Sequence, residues 1–338
     1  MMPTEMFVWL AETTLVMTVL LALVLLVRRP LARLSNVRWA YLIWAVPAIR
    51  LALSMLPDPV ASRLTALAPL GARDGFVLDL AAPLADVPEA LLIALLGIWL
   101  TGAAWAGLRL VIGHAQYRKK LLLQAEQTSP EQRRALNRYC ERMQVFPTIE
   151  CRMSAVVSGP VLVGLVRPVV VLPQDFFQSS PEPELILRHE LVHFKRRDHW
   201  CNAAMAMVRC IFWFNPLMAW AERQFRDDQE IACDRSVLAT ESRARRFGYA
   251  AALVSTVAPR VPGGNGFAVG FLGPEKTVKR RTRLIVRHKS SLGRDMAGAI
   301  MAGLLLIAGA TVGIATPAGP IEWVAPLDLP SPLPGGCD

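Results

Sequence analysis

Charged residues are scarce in this sequence, and it has no cysteine pattern typical of a metal cluster or a disulfide framework. Asp, Glu, Lys and Arg make up 19% of the 338 residues, whereas apolar residues make up 53%. Soluble domains average about 25% charged residues. None of the six cysteines shows Cys-x-x-Cys spacing, so neither a structural zinc cluster nor a set of disulfides is expected. The composition favours a membrane protein.

Four apolar stretches are long enough to cross a bilayer, which takes about 20 mostly apolar residues. They cover residues 6–27, 38–57, 90–113 and 296–316. The second stretch is the weakest, because it contains Pro47 and Arg50. A charge inside a span usually faces the other helices, so Arg50 either has a signalling or packing role or reaches the membrane surface.

Basic residues are unevenly distributed around these stretches. Residues 28–38 contain four arginines, whereas residues 317–338 contain no Lys or Arg. The first apolar run has no basic residues before it, which favours a retained anchor over a cleaved signal peptide. The positive-inside rule therefore places both termini outside and residues 114–295 in the cytoplasm. With this sidedness the net charge of +10 predicts no direct binding of nucleic acid.

The sequence LILRHELVHFKRRDH, residues 185–199, contains the pattern His-Glu-x-x-His. On a helix, His189 and His193 would project from one face, where two imidazoles can bind one zinc ion. Glu190 would lie next to the metal, where a carboxylate can accept a proton from the attacking water. The alternative is a pair of surface histidines on an amphipathic helix.

A catalytic zinc needs a third protein ligand and one open position. Downstream, NPLMAWAERQFRDDQEIACDRSVLA predicts a second helix that begins after Asn215. Glu230 and Asp234 lie one turn apart on it, so Glu230 could bind the metal while Asp234 holds a histidine through its second ring nitrogen. Asp227 and Asp228 are competing candidates, and an ordinary exposed acidic face is the simpler alternative.

Residues 200–221 between the two site helices are apolar enough to be mistaken for another span. If they crossed the bilayer, His193 and Glu230 would lie on opposite sides and could not share a metal. We therefore expect a helix that packs in the domain core or lies at the membrane surface. Trp200, Trp213 and Trp220 suit an interfacial position.

Local patterns predict further elements near the site. The sequence VFPTIECRMSAVVSGPVLVGLVRPVVVLP alternates β-branched runs with Gly and Pro, which predicts two or three short strands. The helix that carries His189 is expected to begin at Ser180 as its N-cap, with Pro181 in the first turn.

Three stretches, GPVLVGLVRPVVVLP, ELILRHELVHFKRRDHW and WFNPLMAWAERQFRDDQEIACDRSVL, resemble consecutive motifs of the BlaR/MecR-type membrane zinc metallopeptidases. The resemblance implies an α-helical membrane protein with four transmembrane helices and an α+β gluzincin-like cytoplasmic protease domain. It also implies one zinc ion per chain, held by His189, His193 and Glu230. Glu190 would be the catalytic base, and Asp234 would support a ligand.

The expected organisation has four parts. Residues 1–113 form a membrane domain with three helices, residues 114–295 the cytoplasmic peptidase domain, residues 296–316 a fourth helix, and residues 317–338 a short Pro-rich extracytoplasmic tail. In the family that the chain resembles, the β-lactam sensors carry a penicillin-binding domain after the last span. The tail is too short for such a domain, so β-lactam acylation is not expected.

The resemblance implies an endopeptidase in a bacterial-type inner membrane that cleaves a cytoplasmic protein in response to an envelope signal. In family terms the substrate would be a BlaI-type transcriptional repressor. Two alternatives stay open: a non-enzymatic membrane transducer or scaffold that keeps a structural zinc, and a housekeeping membrane protease. A structural zinc has no need of Glu190, which favours the enzyme.

Overall fold

A computed structural model describes residues 3–55, 87–142, 149–157, 159–255, 269–270, 275–286 and 292–311. Nearly all of the loop expected between the second and third spans, and the whole expected tail at residues 317–338, lie outside the described residues.

Helices predominate among the described elements. In chain order they are α1 (Pro3–Leu34), α2 (Val37–Leu42), α3 (Ala45–Ser54), α4 (Glu89–Leu123), α5 (Pro130–Arg142), α6 (Phe176–Ser179), α7 (Pro183–Lys195), α8 (Asp198–Ile211), α9 (Pro216–Val237), α10 (Arg243–Ser255), α11 (Glu275–Val286) and α12 (Leu292–Thr311). The strands are β1 (Ala125–Gln127), β2 (Glu150–Ser154), β3 (Val161–Val163), β4 (Val169–Pro173) and β5 (Val269–Gly270).

Two of the described helices, α1 and α4, are long and apolar enough to cross a membrane by length and composition. They have 32 and 35 residues and contain the expected spans 6–27 and 90–113. Many apolar side chains on α4 are exposed, among them Ile98, Trp105 and Val111. An apolar helix face without protein cover is what lipid contact requires.

The expected span 38–57 is not one continuous helix. The described part of it forms α2 and α3, and the break between them lies at Ile43 and Trp44. The break places Pro47 in the first turn of α3, where a missing N–H costs no helical hydrogen bond. Trp44 is buried and its Nε1 donates to Asp228 at 3.2 Å, so a tertiary contact holds the chain at the break. Arg50 faces the interior and is 7% exposed.

The five strands form one sheet in the order β1-β2-β4-β3-β5. Strands β2 and β4 are parallel and the other pairs are antiparallel; Leu162 lies opposite Val170. The prediction of two or three strands within residues 145–173 is confirmed, with β2, β3 and β4. Gly164 (φ 106°) makes the tight connection after β3, where a Cβ would lie 2.7 Å from the Arg167 carbonyl oxygen.

The predicted start of the helix that carries the histidines is wrong by two residues. Helix α7 begins at Pro183 after the N-cap Glu182. Ser180 instead ends α6, where its N–H donates to the Phe176 carbonyl oxygen at 3.3 Å. The ring of Phe176 is 1% exposed, and this anchor in the core accounts for the extra turn of helix before α7.

Helix α9 belongs to two hydrophobic cores. Its first half contributes Met218, Ala221 and Phe225 to a core shared with α1 and the neighbouring apolar helices. Its second half contributes Cys233 and Val237 to the core below the sheet, which also contains α7 and α10. Asn215 caps α9 as predicted, since its side chain accepts from the Leu217 N–H at 3.0 Å. One rigid helix therefore joins the apolar bundle to the domain that carries the histidines.

A buried ion pair fixes α9 against α1. Arg28 Nη1 lies 2.8 Å from both carboxylate oxygens of Asp228, and each side chain is 1% exposed. The same carboxylate accepts from Trp44 Nε1, and Arg280 Nη2 lies 3.4 Å from it. Four elements thus meet at Asp228, which is why its charge can be buried.

We expect Asp228→Asn to destabilise the chain by about 3–5 kcal/mol, because it leaves Arg28 buried beside a neutral group. Unfolding of the purified full chain in detergent, followed by circular dichroism, measures the loss.

Glu150→Gln is the matched control, because the Glu150–Arg152 pair is exposed. It should cost less than about 1 kcal/mol. Equal losses in the two variants would contradict the structural importance of the buried pair.

Candidate metal centre

Helix α7 buries both histidines of the motif. Leu185, Ile186 and Leu191 anchor it in the core below the sheet, and His189 and His193 are fully buried. One helical turn separates the two rings, and their Nε2 atoms lie 3.0 Å apart. The imidazoles therefore present two nitrogen atoms to one point.

Glu230 on α9 meets these two nitrogens. Its Oε2 lies 3.2 Å from His189 Nε2, and its Oε1 lies 3.4 Å from His193 Nε2. With zinc bonds of about 2.0–2.1 Å, tetrahedral ligands lie roughly 3.3 Å apart. The three donors thus have the chemistry and the spacing that a zinc ion requires.

The remaining ring nitrogens are held by carboxylates. His193 Nδ1 lies 2.6 Å from Asp198 Oδ2. His189 Nδ1 lies 3.3 Å from Asp234 Oδ1 and 3.0 Å from the Tyr249 hydroxyl, which donates to the same Asp234 oxygen at 2.7 Å. Contacts of this kind set the ring orientation and leave each Nε2 available as a metal donor.

Arg281 on α11 joins the two acidic residues of α9. It is fully buried, and its Nε and Nη2 each donate to Asp234 at 2.7 Å while its Nη1 lies 2.9 Å from Glu230 Oε2. Burial raises the pKa of Glu230, but the charges of Arg281 and the histidines outweigh it and hold the pKa well below its usual range. The same balance of burial against Arg281 lowers the pKa of Asp234 to about 2.

Glu190 is fully buried, and neither of its carboxylate oxygens has a hydrogen-bond partner among the described residues. Burial raises its pKa to about 8, although the two histidines act in the opposite direction. A buried carboxylate without a partner is costly. Its place beside the three donors fits a site that holds a metal ion and a reacting molecule.

Cys233 is a further possible donor. Its Sγ and the nitrogens of His189 and His193 lie within 4.8 Å of one another, and the side chain is fully buried. The thiol donates to the His189 carbonyl oxygen at 3.4 Å. Burial raises the pKa of the thiol, but the two histidines lower it to about 7. Either Glu230 or Cys233 could therefore complete a three-ligand set.

Other residues weighed in the sequence lie away from the centre. Asp227 accepts from the Thr277 hydroxyl at 2.7 Å, and Asp228 binds Arg28, so neither competitor of Glu230 joins the cluster. His199 stacks on Phe194 at 6.0 Å between ring centroids, which is a packing role.

Sequence reasoning missed Arg281, Asp198 and Cys233, and it had no basis for choosing Tyr249. Arg281 lies in the basic stretch 276–294, and nothing in that stretch distinguishes it from its neighbours. Cys233 did offer a signal, because it lies three residues after Glu230 and so on the same side of α9.

Comparison with known proteins assigns the family. The sequence model described as BlaR1 peptidase M56 matches residues 7–285, which is most of the chain. The chain belongs to this family. The resemblance seen in the three sequence motifs is thereby confirmed, and a metallopeptidase family agrees with the donors that meet at His189.

Two curated relatives of this M56 chain carry regulatory or resistance names. The regulatory protein BlaR1 of Bacillus licheniformis is 26% identical over 153 residues, which are 45% of this chain and 26% of the relative. The methicillin resistance mecR1 protein of Staphylococcus aureus is 29% identical over 153 residues, 44% of this chain and 26% of the relative. The chain therefore spans only about a quarter of the length of these relatives.

We expect the purified M56 chain to hold about one zinc ion, as a catalytic site with three protein ligands would. His189→Ala and His193→Ala should each remove it, whereas His199→Ala should not. Elemental analysis of the full chain in detergent measures the zinc content.

The same measurement distinguishes the two ligand sets. Loss of zinc in Glu230→Gln and its retention in Cys233→Ser would support the carboxylate ligand. The reverse pattern would make Cys233 the third ligand.

We expect Asp198→Asn to weaken zinc binding roughly 10–100-fold, because His193 would lose the carboxylate that orients its ring. Competition with a chelator of known affinity measures the change. Asp295→Asn, on α12 away from the centre, is the control, and equal affinities in the two variants would contradict the orienting role of Asp198.

Proposed function

We propose that the chain is a zinc-dependent endopeptidase of the gluzincin type that cleaves a protein at the cytoplasmic face of a bacterial inner membrane. The observation that carries this proposal is the meeting of His189, His193 and Glu230 beside the unpartnered carboxylate of Glu190. Membership of a peptidase family supports the choice of reaction.

Each residue has one task in this proposal. His189, His193 and Glu230 would hold the zinc ion, with Cys233 as the alternative third ligand. When bound, zinc supplies Lewis acidity that polarises a peptide carbonyl group and makes water more acidic.

Glu190 acts as the proton carrier. Its carboxylate accepts a proton from the attacking water and donates it to the nitrogen of the leaving amine. Burial raises the pKa of this carboxyl group towards neutral pH, the range in which a group can both accept and release a proton. Because Glu190 has no structural partner among the described residues, a purely structural zinc site is the weaker alternative.

The surrounding charges keep the ligands in their binding forms. Arg281 stabilises the ionised carboxylates of Glu230 and Asp234. Asp198 and Asp234 orient the two histidines from their Nδ1 sides. Positions fixed before substrate arrives reduce the reorganisation that the reaction requires.

The membrane part of the proposal rests on α1 and α4, which we place across the bilayer with the peptidase domain, residues 114–295, in the cytoplasm. Residues 38–57 and 296–316 would complete a four-span domain, the former as two short helices. The arginines that follow the first apolar run support this sidedness.

The substrate class comes from the relatives. Their names, a regulatory protein and a methicillin resistance protein, favour a regulatory role. A cytoplasmic transcriptional repressor of the BlaI type is therefore the proposed substrate, cleaved in response to an envelope signal. We propose contact with the bilayer and with this protein, and no direct contact with nucleic acid.

We expect Glu190→Gln to reduce cleavage roughly 10²–10⁴-fold while it leaves the zinc content unchanged, because the amide cannot carry the proton. The measurement is gel analysis of fragments after a purified BlaI-type repressor is mixed with the full chain in detergent.

Glu184→Gln is the matched control, since Glu184 lies on the same helix and is 44% exposed. It should cleave as the wild type does. Identical fragment patterns from wild type and Glu190→Gln would contradict the proposed reaction.

A further inference from the structure

The hairpin formed by α8 and the first half of α9, residues 198–228, has both of its ends beside Tyr41, whose hydroxyl donates to Asp198 at 3.3 Å and accepts from Gln229 Nε2 at 3.2 Å. At the start of α8, Asp198 contacts His193, next to the metal centre. At the other end, Asp228 binds Arg28, one residue beyond the first apolar run. The term "α8–α9 hairpin" is used for these residues below.

The tip of the hairpin lies beside the middle of the two long apolar helices. Asn215 Nδ2 donates to the Thr18 hydroxyl at 2.8 Å, and Trp99 Nε1 donates to the Ile211 carbonyl oxygen at 2.8 Å. Thr18 precedes the end of the apolar run 6–27 by nine residues, and Trp99 follows the start of the run 90–113 by nine. At about 1.5 Å per residue, each position is roughly 13 Å from one end of its span, near the centre of a hydrocarbon core of about 30 Å.

The packing at the tip is close. A Cβ added to Gly102 on α4 would overlap the indole ring of Trp213, so glycine permits this approach. Trp213 Nε1 also donates to the Trp99 carbonyl oxygen at 3.3 Å. The ring of Phe212 is 1% exposed and belongs to the same core as α1.

Several polar groups at the turn are bonded within the protein. Asn215 uses its amide nitrogen on Thr18 and its carbonyl oxygen on the Leu217 N–H. The Phe212 N–H donates to the Val208 carbonyl oxygen, and the Asn215 N–H donates to that of Phe212. Irregular backbone is tolerated at membrane depth only where protein satisfies its polar groups in this way.

The outer face of the hairpin is apolar and exposed. It includes Met207, which is 62% exposed, together with Trp213, Phe214 and Trp220. Helix α4, which the tip of the hairpin contacts at Trp99, also exposes apolar side chains, among them Ile98. Between residues 200 and 221 the only charged side chain is Arg209, and it forms an ion pair with Glu222 at 2.9 Å.

We propose that the α8–α9 hairpin enters the bilayer from the cytoplasmic side and turns back near its middle, with lipid acyl chains covering its exposed apolar face. The proposal rests on the proposed crossing of the membrane by α1 and α4. It replaces the expectation of a helix in the domain core or flat on the membrane surface. The buried tip anchors to the two spans, while the metal centre lies at the base of the hairpin, level with the inner headgroups.

The depth of single spin labels tests the proposal on the full chain. Cys201, Cys210 and Cys337 are replaced by Ala, and one Cys is introduced at a time by Trp200→Cys, Met207→Cys or Phe214→Cys. Each chain is reconstituted into vesicles of equal parts phosphatidylethanolamine and phosphatidylglycerol. Collision of the label with oxygen, which concentrates among acyl chains, is compared with collision with a water-soluble nickel chelate.

Two control positions give the collision ratios expected for a label in lipid and for a label in water. Ile98→Cys reports the exposed face of α4, and Glu131→Cys reports the exposed first turn of α5 in the peptidase domain. A circular dichroism spectrum equal to that of the parent chain shows that each variant is folded, whether or not it holds zinc. If Phe214→Cys fails this check, Trp220→Cys on the other arm of the hairpin takes its place.

We expect the ratio of oxygen collisions to nickel collisions to be as high for the label at position 214 as for the label at position 98. The ratio should be lower at position 207 and lower still at position 200. Position 131 should give the lowest ratio. Low and equal ratios at 200, 207 and 214 would overturn the proposal and place the hairpin on the membrane surface. A ratio at 98 as low as that at 131 would overturn it by removing α4 from the bilayer. Neither result affects the measurements of zinc content and of cleavage by Glu190→Gln. Those measurements test the proposed peptidase activity independently of the position of the hairpin.

Discussion

Four carboxylates of helix α9, those of Glu222, Asp228, Glu230 and Asp234, are largely buried, and each meets at least one arginine. A buried carboxylate without such a partner would cost several kcal/mol, so the partners determine which elements gather around the helix. Glu222 pairs with Arg209 and Arg226, and Asp228 pairs with Arg28 and Arg280. Glu230 pairs with Arg281 and the two histidines, and Asp234 pairs with Arg281. The arrangement of α1, α7, α8 and α11 around α9 follows from this requirement.

The metal centre is one part of that arrangement. Glu230 reaches the histidines because α7 packs against α9 in the core that contains Leu191 and Cys233. Arg281 contacts both Glu230 and Asp234, so one guanidinium group links the proposed ligand to the residue that holds His189. The positive charge of zinc would be added to a site that already holds the carboxylates of Glu230 and Asp234 next to the histidines.

Features of the fold and of the site that depend on the spacing of nearby residues could be predicted from the sequence. The pair of helices, the cap at Asn215, the strands before α7 and the candidate donors at His189, His193 and Glu230 all follow from patterns within a few residues. Contacts between distant residues could not be predicted in this way. Arg281 lies 47 residues from Asp234, and nothing near it in the chain marks it as different from Arg280. The break between α2 and α3 likewise depends on Trp44 reaching Asp228, 184 residues away.

The pair formed by Arg28 and Asp228 also limits how α1 can move. Sliding α1 by one helical turn, about 5.4 Å, would bring Val24 or Ala32 to the place of Arg28. Asp228 would then face an apolar side chain, and a buried guanidinium would lie in an apolar groove. Smaller displacements would also weaken the pair, because Arg28 Nη1 lies 2.8 Å from both carboxylate oxygens of Asp228. Helix α1 is therefore held at one position relative to α9, and a force applied along it would be passed to the helix that carries Glu230 and Asp234.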